Sequence, residues 1–189
     1  MKALAHSPRL LALAVGGMLI VSVSAGAMSL ALFTDTAAVG ANAFTAGTID
    51  ITASPASALL TSSALMPGDS VNGELTIANA GTGTLRYAMT SSSTNTDSLG
   101  LAAQMTLVVK TLGTNCATFD GTTLYTGSLN SAAIGNPAAG ADTGDRSLSA
   151  ATNEHLCFRA SLPLASGNAF QGAATTTTFT FAAEQTANN

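Results

Sequence analysis

Alternation at every second residue, interrupted by glycine and proline, is the feature that most limits how this chain can fold. Val71, Gly73, Leu75 and Ile77 share one face of a would-be strand, and Leu85, Tyr87 and Met89 share another. Met105, Leu107 and Val109 repeat the pattern, as do Leu156, Phe158, Ala160 and Leu162. A spacing of two puts each set on the buried side of a half-exposed strand. Phe44, Ala46 and Thr48, then Ile49 and Ile51, alternate as well, which predicts a strand over residues 44–51 with a kink at Gly47. A weaker strand is predicted around Leu124 and Tyr125. A last one follows Phe170-Gln171-Gly172, where four threonines lead into Phe179 and Phe181. Beyond the N-terminal region no segment has helical periodicity.

Turn chemistry separates these strands. Pro55 ends the first, Met66-Pro67-Gly68-Asp69 opens the second, and Pro163 stops the strand through Phe158. Ala80-Gly81-Thr82-Gly83 is a short glycine-containing link, which predicts a hairpin between the strands on either side. Residues 130–151, rich in Ala, Gly, Asn and Asp, read as a long flexible loop. Seven or eight short strands of this kind predict an all-β fold, an antiparallel β-sandwich. Jelly-roll and immunoglobulin-like wirings share the pattern.

The N-terminus carries a different signal. Lys2 and Arg9 precede a stretch without charge that runs to Thr34, strongly apolar over residues 10–23 and followed by small residues. A basic start, an apolar middle and a small-residue exit make a secretory signal. Ala25, Ala27 and Ala31 each offer a cleavage point. Retained, the same run is long enough to anchor the chain in a bilayer, for which about 20 apolar residues suffice.

Charge then narrows the function. Charged residues are 8% of the chain, against roughly 25% in an average soluble domain. Without the export segment, Arg86, Lys110, Arg146 and Arg159 stand against ten acids, so a net charge of −4 becomes −6. No basic patch exists to hold a phosphate backbone, and nucleic acid is excluded as a partner. Lys110 and Arg159 are expected outward or at an edge, guarding a sheet. Cys116 and Cys157, an even pair in an exported protein, are expected to form a disulfide rather than two buried thiols.

Site chemistry is sparse. His6 belongs to the export segment, leaving His155, and no His-Glu-x-x-His motif or Gly-x-Ser-x-Gly elbow is present. Glu154 and His155 are neighbours on a strand and point to opposite faces. Asp142 and Asp145, with Asp120 or carbonyl oxygens, are calcium candidates, but they lack the EF-hand spacing, and a solvated acidic loop is the simpler reading. No catalytic residue, metal or other cofactor is expected.

Taken in order, the motifs resemble the TasA/camelysin family. Ala31-Leu32-Phe33-Thr34-Asp35 and then Asn42 through Ile51 look like that family's signal and first strand. Met66-Pro67-Gly68-Asp69, Leu75 through Gly81 and Leu85-Arg86-Tyr87 resemble its next block. Phe170-Gln171-Gly172 with Phe179-Thr180-Phe181 and Glu184-Gln185 resembles its last strand. The resemblance implies a jelly-roll-like sandwich, processing by a SipW-type signal peptidase, secretion, and assembly into biofilm-matrix or cell-surface fibres, with other matrix proteins as further partners. It places cleavage between Ala31 and Leu32, a signal peptide over residues 1–31 and one secreted domain over 32–189. Residues 32–42 would form a donor segment or linker, with Leu32, Phe33, Thr34, Asp35 and Thr36 completing the sheet of a neighbouring copy, head to tail. Some members carry a metallopeptidase label, which the single remaining histidine does not support. A surface metallopeptidase and a monomeric adhesion domain are the alternatives to a fibre subunit.

Overall fold

The computed structural model describes Ala41 and residues 43–188. Thr45–Asn189 clusters as one compact unit. The expected signal peptide, the cleavage point at Ala31 and Leu32, and the donor residues Leu32, Phe33, Thr34, Asp35 and Thr36 lie outside the described residues.

Two antiparallel sheets face each other. The first has the order β1-β2-β8-β4-β5, built from β1 (Ile51–Ser54), β2 (Ser70–Asn79), β8 (Asn153–Ser161), β4 (Thr106–Thr111) and β5 (Thr123–Ser128). The second is built on β3 (Leu85–Ser93). β9 (Thr177–Gln185) pairs with β3 along its whole length, and β6 (Ala133–Ile134) and β7 (Arg146–Leu148) share the opposite edge. This is the all-β sandwich that the alternation predicts.

The core is made of the alternating sets. Leu75, Ile77, Leu107, Val109, Leu156 and Phe158 from the first sheet meet Leu85, Tyr87, Met89, Ile134 and Leu148 from the second. Phe158 stacks at a tilt on Phe179 with ring centroids 5.1 Å apart, and Tyr87 meets Phe181 at 6.0 Å. Both separations lie in the range where aromatic pairs add to simple burial.

Three expectations are corrected. The first strand is Ile51–Ser54, not residues 44–51, and Phe44 is 94% exposed. Residues 48–50 are held to the turn after β2: Thr82 and Gly83 N–H donate to the Thr48 carbonyl, and Ala80 N–H donates to that of Asp50. That approach requires Gly81, since a Cβ there would lie 2.4 Å from the Thr48 oxygen. Next, β2 and β3 are not a hairpin, because they belong to different sheets. The link crosses over as an arch around the buried Asn79 side chain. Its Nδ2 donates to the carbonyls of Gly83 (2.8 Å) and Leu148 (3.1 Å), and its Oδ1 accepts from Gly81 N–H (3.0 Å).

Residues 130–151 are not a plain loop either. They supply β6 and β7, and their middle lies over the outer face of β3, where Asn136, Pro137 and Ala138 close around Arg86 and Ala88. Hence Leu85 through Met89 are all buried, although alternation alone would expose every second residue. Lys110 and Arg159 face outward, as expected, and sit on the interior strands β4 and β8. One helical turn, α1 (Leu101–Gln104), precedes β4.

Asn79→Ala would strand the Gly81 N–H and two carbonyls in the core arch. A loss of about 2 kcal/mol is expected in urea unfolding, with the far-ultraviolet β signature retained in the folded baseline.

Candidate functional site

Four edges bound the two sheets: β6 and β7 share one, and the other three differ in kind. β1 has four residues and runs into Pro55. β5 is bulged, since Val109 pairs with Tyr125 and Lys110 with Thr123, leaving Leu124 out of register. Shortness, proline and bulges are the usual ways of blunting an edge. β9 has none of them. It pairs with β3 without a break from Ser93–Thr177 to Leu85–Gln185, contains no Lys or Pro, and among the described residues has no strand on its other side.

Beside that bare edge the sandwich is open. A cleft of about 1520 Å³ runs between β9 and the β1–β2 side of the first sheet. Val71, Leu75, Met105 and Leu162 line it together with Phe179 and Phe181, and residues 55–67 and 170–178 form its rims. Small-molecule pockets are typically about 300–1,000 Å³. A larger, mainly apolar cleft alongside an unpaired strand has the chemistry of a peptide acceptor: pockets for alternate side chains and a row of backbone donors and acceptors.

The outer face of the first sheet holds the disulfide. Cys116 and Cys157 are bonded, with Cα atoms 5.1 Å apart, as expected from their number. Closing a 41-residue separation contributes about 4 kcal/mol in the chain-entropy picture. Against it packs Phe119, with the Arg159 guanidinium 4.0 Å and the Lys110 ammonium 5.1 Å from its ring centroid. Lys110 Nζ also donates to the Phe119 carbonyl, and Arg159 Nε donates to Asn72 Oδ1. These two cations are therefore engaged within the domain.

A second polar group bridges the sheets. Glu154 of β8 accepts from Tyr87 Oη (2.5 Å) and from Arg146 Nε and Nη2 (2.9 and 2.5 Å). Burial and then the hydrogen bond to Glu154 push the Tyr87 phenol far above its ordinary value, and the Glu154 hydrogen bond raises Arg146. Arg86 pairs with Glu184, which also accepts from Gly140 N–H. His155, on the opposite face from Glu154, places Nδ1 2.7 Å from Glu74 Oε1 and 3.2 Å from Thr76 Oγ1.

The acidic candidates are drawn into turns. Asp145 Oδ1 accepts from Asn136 N–H and Oδ2 from Asp142 N–H, the causes of its lowered pKa. Asp120 bonds instead to Thr114 and Thr118, so Asp120 and Asp145 share no partner. The cleft rim and the inter-sheet bridge went unread in the sequence. Three leucines, 59, 60 and 65, in an otherwise small and polar stretch were the signal for the first. Isolated charges in a nearly uncharged chain were the signal for the second.

Residues 9–104 match the family model described as camelysin metallo-endopeptidase. No curated protein matches the chain. That description implies a metal, and protein zinc sites take three or four His, Cys or carboxylate ligands. The described residues do not fit one. His155 has one carboxylate beside it, both cysteines are in the disulfide, and among the described residues no three His, Cys, Asp or Glu side chains converge.

Hydrogen bonds from the Thr114 hydroxyl and N–H, then from the Thr118 hydroxyl, bring the Asp120 carboxyl down from 3.8 to about 2. The folded value lies below the unfolded one, so this stabilisation is complete above about pH 4 and is lost as pH falls from 3.8 towards 2. Amide shifts of residues 113–121 are expected to titrate in that window, and Asp120→Asn is expected to abolish the step.

Proposed function

The chain belongs to the camelysin metallo-endopeptidase family, and on that premise we propose that it is a secreted, non-enzymatic subunit that polymerises into biofilm-matrix or cell-surface fibres. The observation that carries this reading is the edge of β9, bare among the described residues, beside a large cleft with an apolar floor and polar rims. The occupant is the segment beginning at Leu32 of a neighbouring copy, freed when a SipW-type signal peptidase cuts behind Ala31. Residues 32–42 contain one charge, Asp35, and otherwise small or apolar side chains, which suits an apolar cleft. The nine residues of β9 offer about 30 Å of edge, more than the roughly 17 Å that five extended residues need.

Head-to-tail strand addition does not close on itself and so produces filaments. Low surface charge leaves little repulsion between copies. The disulfide supports an oxidising, extracytoplasmic destination. Against catalysis stands the donor set of the described residues, which does not fit a zinc ion.

The family's description favours one second reading, a surface metallopeptidase. It requires stoichiometric zinc and chelator-sensitive casein cleavage by the purified secreted protein. Neither is expected under the fibre reading, and finding both would replace it.

Deleting residues 32–36 from the mature chain is expected to leave a folded monomer by circular dichroism and size-exclusion chromatography, with no fibres in negative stain. Fibres from that truncation would sink the donor assignment.

A further inference from the structure

Residues 55–66 link β1 to the turn before β2 without any regular structure. Among the described residues, 55–65 make no hydrogen bond at all, and the segment is tied down again at Met66, whose N–H and carbonyl both bond to Asp69. What holds it is apolar: Leu59, Leu60 and Leu65 are half-buried against the core. Leu59 sits at one particular place on β2. A Cβ on Gly73 would lie 2.7 Å from the Leu59 carbonyl oxygen and 2.9 Å from its Cδ1. Val71 and Leu75 line the cleft, while Gly73 between them does not, because Leu59 covers it. The inner face of β2 is thus completed by a side chain from another segment.

We infer that residues 55–66 are a built-in plug, which a docking donor strand displaces to open the inner face of β2 from Val71 to Leu75. This rests on the donor-strand reading. A segment held by side-chain burial alone opens locally at lower cost than a hydrogen-bonded strand. A donor on β9 supplies both apolar side chains and backbone hydrogen bonds, so the exchange replaces a poorer occupant with a better one. Before docking, the plug keeps part of an adhesive surface covered.

The test uses the secreted chain with Ser62→Cys carrying a nitroxide label. Ser62 is exposed, and both native cysteines are disulfide-bonded, so the label is unique. A synthetic peptide of residues 32–43 is titrated in, with peptide binding, label mobility and fibre formation read together. Binding is expected to shorten the label's correlation time about threefold, into the range of a mobile loop. Leu59→Ala, which removes part of the plug's burial, is expected to speed peptide association about fivefold. Gly73→Ala, whose methyl group would displace Leu59, is expected to mobilise the label before any peptide is added. Peptide bound with label mobility unchanged, or slower association in Leu59→Ala, would mean a fixed wall and overturn the plug while leaving the donor-strand reading intact. No peptide binding and no fibres would remove the donor-strand reading, and the plug with it.

Discussion

Backbone groups at a sheet edge must find partners or water, and this fold is organised by where that requirement is met and where it is left open. The first sheet ends in a four-residue strand running into proline on one side and a bulged strand on the other. The second is closed on one side by two short strands and left open along β9. A nine-residue strand, pairing without a break on one side and bare on the other among the described residues, is a liability in a protein meant to stay alone. Beside it lies a cleft faced by Phe179 and Phe181. The proposed function gives both features one explanation.

Charge reinforces the same picture. Each Lys and Arg among the described residues has a partner within the domain. Arg86 pairs with Glu184, Arg146 with Glu154, Arg159 bonds Asn72, and Lys110 bonds the Phe119 carbonyl. Arg159 and Lys110 also share the Phe119 ring. Cations that elsewhere would project into water here stabilise the disulfide face and the join between sheets. The surface keeps few positive groups, so in the proposed fibre contact between copies would depend on shape and backbone rather than on matching charges.

Much of the sandwich was legible because alternation is a direct consequence of strand geometry. β2, β4 and β8 carry clean apolar sets, and each is found with that face inward. The disulfide followed from counting cysteines. Other parts depend on partners far away in sequence. The link after β2 has the composition of a hairpin turn, but Asn79 reaches Leu148, 69 residues on, and the chain arches to the other sheet. Residues 44–50 alternate, yet none of them enters a sheet, and 48–50 are held to the turn around Gly81. The cleft was hidden for a different reason. It is lined by residues from β2, β9 and the 55–67 and 170–178 segments, which only the tertiary fold brings together.

The disulfide has a mechanical meaning for any chain that works under load. The 41-residue separation between Cys116 and Cys157 spans β5, β6 and β7, whereas β9 and the segment leading into β1 lie outside the covalent loop. A pull applied between the two ends of the molecule passes through the Cys116–Cys157 bond and bypasses everything inside it. About 140 Å of slack, at roughly 3.4 Å per extended residue, is withheld from extension. Such a chain extends over a shorter distance than its length suggests, even where β5, β6 and β7 lose their partners β4 and β3, which lie outside the loop.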